Sequence, residues 1–82
     1  MIEISEHAEK AMSDDGITED EVRSCLEHGE LEIKQFVNGE MRYGIKLELK
    51  DKTIMVIYTL REKVQRVITC YVIRRKKQWQ DK

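Results

Sequence analysis

From Ser5 to about Asp15 the apolar residues recur at helical spacing, with Ala8, Ala11 and Met12 on one side. Ser5 has the side chain to accept from the free amides of a first turn, and Gly16 suits the left-handed position past the last. Thr18-Glu19-Asp20-Glu21 then reads as a capping box, its acidic trio set against the positive end of a helix dipole. Val22, Cys25 and Leu26 fall on one face before Gly29 closes the element. Two short helices are expected, over about 5–15 and 19–28.

From Glu30 the period becomes two. Leu31, Ile33, Gln35 and Val37 oppose Glu32, Lys34 and Phe36, and Asn38-Gly39 supplies the positive φ of a hairpin turn. Met41, Tyr43, Ile45, Leu47 and Leu49 alternate with Arg42, Gly44, Lys46, Glu48 and Lys50. Two further runs follow, separated by the charged turn Arg61-Glu62-Lys63. Strands are expected over 31–37, 41–49, 53–60 and 66–73. The order ααββββ with short turns predicts an α+β fold, a single domain over 1–82. Both helices would pack on one face of a four-stranded antiparallel meander. The last two strands are apolar on both faces: Ile54, Val56 and Tyr58 oppose Met55 and Ile57, while Val67, Thr69 and Tyr71 oppose Ile68, Cys70 and Val72. Two small helices cover one face only. Curvature, the tail, a second copy or a partner must close the other.

Charge changes the picture. The net charge of −1 conceals a split: residues 1–40 hold 12 acidic and 3 basic side chains, residues 41–82 hold 4 and 12. Such a split points to contact with nucleic acid or an acidic partner. No apolar run is long enough to span a bilayer, and no charged-then-apolar leader opens the chain, so a cytosolic protein without membrane contact is expected. Cys25 and Cys70 are too few for a disulfide scaffold and are expected as free thiols in the core.

The candidate chemistry is cationic. Arg74-Arg75-Lys76-Lys77-Gln78-Trp79 places four cations beside an aromatic, and Arg61, Lys63 and Arg66 lie across the preceding turn. Arginine forks grip phosphate and tryptophan stacks on a base, so Arg61, Arg66, Arg74, Arg75, Lys76, Lys77 and Trp79 form the candidate RNA-binding set. The plainer alternative for 74–82 is a solvated terminus. The two groups flank the last strand and stand roughly 20 Å apart. His7, beside Glu3 and Glu6, is a candidate acid or base, against the commoner role of local packing. Cys25 and His28 have a C-x-x-H spacing, but a zinc site needs four ligands and only Cys70 and His7 remain; neither metal nor cofactor is expected.

The segments Ile4-Ser5-x-His7-Ala8, Gly16-Ile17-Thr18-x-x-Glu21-Val22, Gly29, Arg42-Tyr43-Gly44, Val56-Ile57-Tyr58 and Val67-Ile68-Thr69-Cys70-Tyr71, in this order from Ile4 to about Ile73, resemble the prokaryotic domain of unknown function 4258. That family looks like a relative of the RelE/ParE and BrnT toxins of toxin–antitoxin pairs. The resemblance implies helices on one face of a strongly curved antiparallel sheet, with RNA and an antitoxin-like protein meeting the other. RNA or the ribosome would be the target, and any cleavage would be metal-independent, through attack of the neighbouring 2′-hydroxyl. Arg66, Arg74 and Arg75 are then candidate phosphate ligands, with Tyr71, Lys76 or His7 as candidates for proton transfer. Where the family often carries arginines in the first helix and its exit, this chain has Ala11 and Asp15. The alternative is a non-catalytic interaction module that uses the same sheet face for a homodimer or another partner.

Overall fold

A computed structural model describes residues 2–74. In chain order its elements are β1 (Ile2–Ile4), α1 (Glu6–Asp15), α2 (Glu19–His28), β2 (Glu30–Val37), β3 (Glu40–Glu48), β4 (Thr53–Arg61) and β5 (Val64–Ile73). The fold is α+β. Both helices begin and end as their residues dictate. Ser5 Oγ accepts from Ala8 N at 3.1 Å, and Gly16 takes the left-handed conformation at φ 67°. Thr18 and Glu21 exchange both bonds of the capping box, 3.1 and 2.9 Å. The Thr18 amide is the main reason the Glu21 carboxyl titrates below its ordinary value.

The sheet differs from the expected meander in one strand. Its order is β1-β5-β4-β3-β2, five strands rather than four, and mixed rather than antiparallel, because β1 runs parallel to β5. Ile2-Glu3-Ile4 is too short to show a period; its extended form is imposed by pairing with Gln65–Val67. Ser5 continues that contact: its amide bonds to Val67 O at 3.1 Å and its hydroxyl to Ile68 O at 3.1 Å. One residue thus caps α1 and fastens it to β5.

Two smaller corrections follow from local geometry. A β-bulge between Leu31 and Ile33 places Leu31 opposite Ile45 but Ile33 opposite Gly44, so the two do not share a face as simple alternation requires. The last turn has two residues, Glu62 and Lys63, both at positive φ, which starts β5 at Val64 instead of 66.

The core lies between the helices and one face of the sheet. Ala8, Val22, Cys25, Ile54, Val56 and Val67 are fully buried there, with Ile17, Ile45 and Cys70. Cys25 donates to Ile45 O at 3.3 Å, and both cysteines are free. Lys52 ties the β3–β4 turn to the helix junction, donating to Gly16 O at 2.7 Å and pairing with Glu21 at 3.1 Å. Among the described residues no helix is long and apolar enough to cross a membrane.

The opposite face has no second layer among the described residues, yet parts of it are dry. Met55 is 7 % exposed and Thr59 2 %. Gly44 lets Ile33 and Ile57 close over the middle of the sheet: a Cβ at this position would meet Ile33 Cβ at 2.9 Å and Ile57 Cδ1 at 3.1 Å. Lys46, opposite Met55, is drawn over the same surface by its ion pair with Glu32 at 3.7 Å.

Candidate nucleic-acid interface

Directly opposed residues of neighbouring strands point to the same face. On the open face the register therefore draws one polar row across all five strands. Glu3 is opposite Arg66, Arg66 opposite Thr59, Thr59 opposite Arg42, and Arg42 opposite Gln35. Thr59 is held from below, its hydroxyl donating to Met41 O at 2.8 Å. Arg66 and Arg42 thus flank one strand, with Cα atoms about 10 Å apart.

Arg61 stands beside this row. Its Nη2 lies 3.4 Å from Glu40 Oε2, while Glu40 Oε1 is 3.9 Å from Arg42 Nε. One carboxylate therefore sits between two guanidinium groups. At 3.9 Å the second contact is an ion pair without a hydrogen bond, and Arg42 Nε is buried with no hydrogen-bond partner. A buried donor left unbonded is costly unless something supplies an acceptor. Arg61 and Arg66 line one open cavity of about 550 Å³ with Glu3, Glu62 and Val64.

The remaining sequence candidates fall elsewhere. His7 lines a depression of about 340 Å³ between α1 and β5 with Lys10, Asp14 and Asp15, whereas Tyr71, opposite Met55, faces the open side of the sheet. Tyr71 is five residues along β5 from Arg66, roughly 17 Å. Arg74 lies at the far end of that strand, in a depression shared with Lys50, Asp51 and Lys52. Arg75, Lys76, Lys77 and Trp79 lie outside the described residues. The structure therefore joins Arg61 to Arg66, sets His7 apart beside α1, and leaves Tyr71 on the open face but far along β5 from Arg66.

Arg42 is the residue that sequence reasoning missed as a site candidate. Its alternation on β3 already placed it on the polar side, but only the strand register aligns it with Arg66. The C-x-x-H spacing brings no ligands together, because Cys25 is fully buried whereas His28 is exposed beside Glu27. Among the described residues no three His, Cys, Asp or Glu side chains converge as a metal site.

The family model described as Domain of unknown function (DUF4258) matches residues 4–72. The chain belongs to the DUF4258 family. No curated protein and no solved structure matches it. The match runs from β1 to β5 and so includes Arg42, Arg61 and Arg66 of the open face. It does not reach Arg74 or the basic residues that follow.

Proposed function

We propose that this DUF4258 domain binds single-stranded RNA on the open face of its sheet, as a RelE/BrnT-like member of a toxin–antitoxin pair. The observation that carries the reading is the row Arg66–Thr59–Arg42, with Arg61 beside it and Arg42 Nε unbonded. Guanidinium groups on a partly dry sheet surface suit phosphate oxygens, and the strand register fixes their spacing. An antitoxin-like protein would act by covering this row. The reading is of RNA binding rather than cleavage. Proton-transfer candidates must reach the same phosphate as its ligands: His7 lies in a different cavity from Arg61 and Arg66, Tyr71 stands roughly 17 Å along β5 from Arg66, and Lys76 lies outside the described residues.

The test is binding of a labelled oligoribonucleotide, followed by anisotropy as salt rises. Each phosphate contact contributes a slope of about −0.7 in log K against log salt for a single strand. Arg66→Ala and Arg42→Ala should each weaken binding and flatten that slope by about this amount. Lys10→Ala, in the His7 depression, should leave both unchanged. Absence of binding at low salt, or equal effects of all three substitutions, overturns the reading.

A further inference from the structure

Among the described residues β2 is a free edge of the sheet, and the geometry points to a second copy of this chain as the strand that completes it. β2 is eight residues long and lies at one end of the sheet order. Unpaired edges recruit other strands unless something blocks them, and the bulge between Leu31 and Ile33 leaves Ile33–Val37 as the regular stretch on offer. This edge carries Phe36 at 71 % exposure and Leu31 at 55 %.

The turn decides which main-chain groups are on offer. Asn38 and Gly39, both at positive φ, form a two-residue turn closed by the pair Val37–Glu40. Hydrogen-bonded and non-bonded pairs alternate from that closing pair. Val37 and Gln35 therefore bond inward to β3, while Phe36 and Lys34 direct their N–H and C=O groups outward.

Self-pairing has its own constraint. Two antiparallel copies are related by a two-fold axis perpendicular to the sheet, which keeps each side chain on its face, so residues can face only partners an even number apart. Past the bulge that ends at Ile33, three registers remain that use the outward groups. Centring on Lys34 sets two ammonium groups against each other, which is unfavourable. Centring on Phe36 overlaps only Gln35–Val37 before the chain turns at Asn38. Centring on Gln35 pairs Lys34 with the other copy's Phe36, twice. It also sets Ile33 against the other copy's Val37 and Gln35 against itself. In this register no like charges are opposed, the lysine stem and ammonium lie along an exposed ring, and an amide pair sits on the axis.

On the open face Gln35 ends the row Arg66–Thr59–Arg42–Gln35. A two-fold axis at Gln35 joins that row to its own copy, giving one line of arginines across both sheets. The two Arg42 Cα atoms would stand about 14 Å apart, three strand spacings. The pairing itself rests on the edge alone and holds whether or not RNA is the ligand.

The experiment is disulfide trapping, without RNA, combined with light scattering over a range of protein concentrations. Gln35 faces its own copy as a non-bonded pair with Cα atoms about 4.5 Å apart, inside the range a disulfide spans. The two Lys34 positions are offset by two residues, beyond about 7 Å, and cannot be bridged. Mild oxidation should therefore trap Gln35→Cys as a covalent dimer and leave Lys34→Cys monomeric; the native thiols are buried. Phe36→Lys, at a side chain the monomer leaves exposed, should keep the fold and weaken the dimer by about tenfold or more. Its RNA binding per chain separates this idea from the proposed function, since a folded monomer retains Arg66 and Arg42. The pairing is overturned by a wild type that stays monomeric at every concentration. Trapping of both cysteine variants alike, or an unchanged dimer in Phe36→Lys, overturns it equally.

Discussion

The two faces of this sheet reach dryness by different routes. Beneath the helices, Ile54, Val56 and Val67 are fully buried against Ala8, Val22 and Cys25. On the open face, Met55 and Thr59 are nearly as buried, but beneath neighbours from their own sheet. Packing by a second layer removes charge altogether, whereas cover by long side chains leaves charged tips at the surface. The second arrangement is what a binding surface needs: rigid strands below, guanidinium groups above. Only the first is a core in the energetic sense.

Truncation should expose that difference most clearly. Ile54→Ala removes a fully buried side chain from beneath the helices and should cost about 2–5 kcal/mol. Ile57→Ala, its half-buried neighbour on the open face, should cost distinctly less, because solvent and mobile side chains can fill the space. Urea unfolding of the two variants decides the matter. Equal losses would mean that the open face is a second core and a poor candidate for ligand contact.

The middle of the open face offers the opposite perturbation. Gly44 has no room for a methyl group beneath Ile33 and Ile57, so Gly44→Ala should destabilise by about 1–3 kcal/mol through overpacking. Ile57→Val removes the Cδ1 that a new Cβ would meet at 3.1 Å, and should cost less in the Gly44→Ala background than alone. Additive losses in that double-mutant cycle would show that the two side chains do not share the space above Gly44.

Much of this contrast was legible in the sequence, and what was not has a physical reason. The helices were readable because their ends are written in residues, from Ser5 to Gly16 and from Thr18 to Gly29. Asn38-Gly39 announced its hairpin. Glu62-Lys63 adopts the same positive φ without either preferred residue, so the pairing of Arg61 with Val64 imposes what local chemistry disfavours. β1 was hidden for a related reason: its conformation belongs to its partner strand. Apolar residues on both faces of the last hairpin signalled a face that the helices leave open, but the irregularity between Ile57 and Tyr58 moves Val67 from the side of Thr69 and Tyr71 to that of Cys70 and Val72. The candidate site was half legible. Arg61 and Arg66 were marked by charge, but their alignment with Arg42 depends on two strand registers and on the irregularity between Ile57 and Tyr58 that no period reveals. His7 and Tyr71 looked like companions of the arginines in sequence; the fold sets His7 apart beside α1 and leaves Tyr71 on the open face, roughly 17 Å along β5 from Arg66.

At neutral pH the smallest effect belongs to the two thiols, and it sharpens the comparison only in alkali. Burial, the first cause for both, pushes Cys25 and Cys70 up from an ordinary 9.0 to about 11. The unfolded chain therefore ionises its thiols first. Above pH 9 it binds fewer protons than the folded chain, and stability falls with rising pH. The contribution is fully present below pH 9, is lost progressively, and reaches its limit once pH passes about 11. Serine at both positions should flatten the unfolding midpoint between those limits, with a wild-type scan at each pH as reference. The same burial should protect both thiols from alkylation at pH 8 until the chain is unfolded. Rapid labelling of the folded protein would mean that water reaches the helix-covered face, and the distinction between the two faces would fail at its driest point.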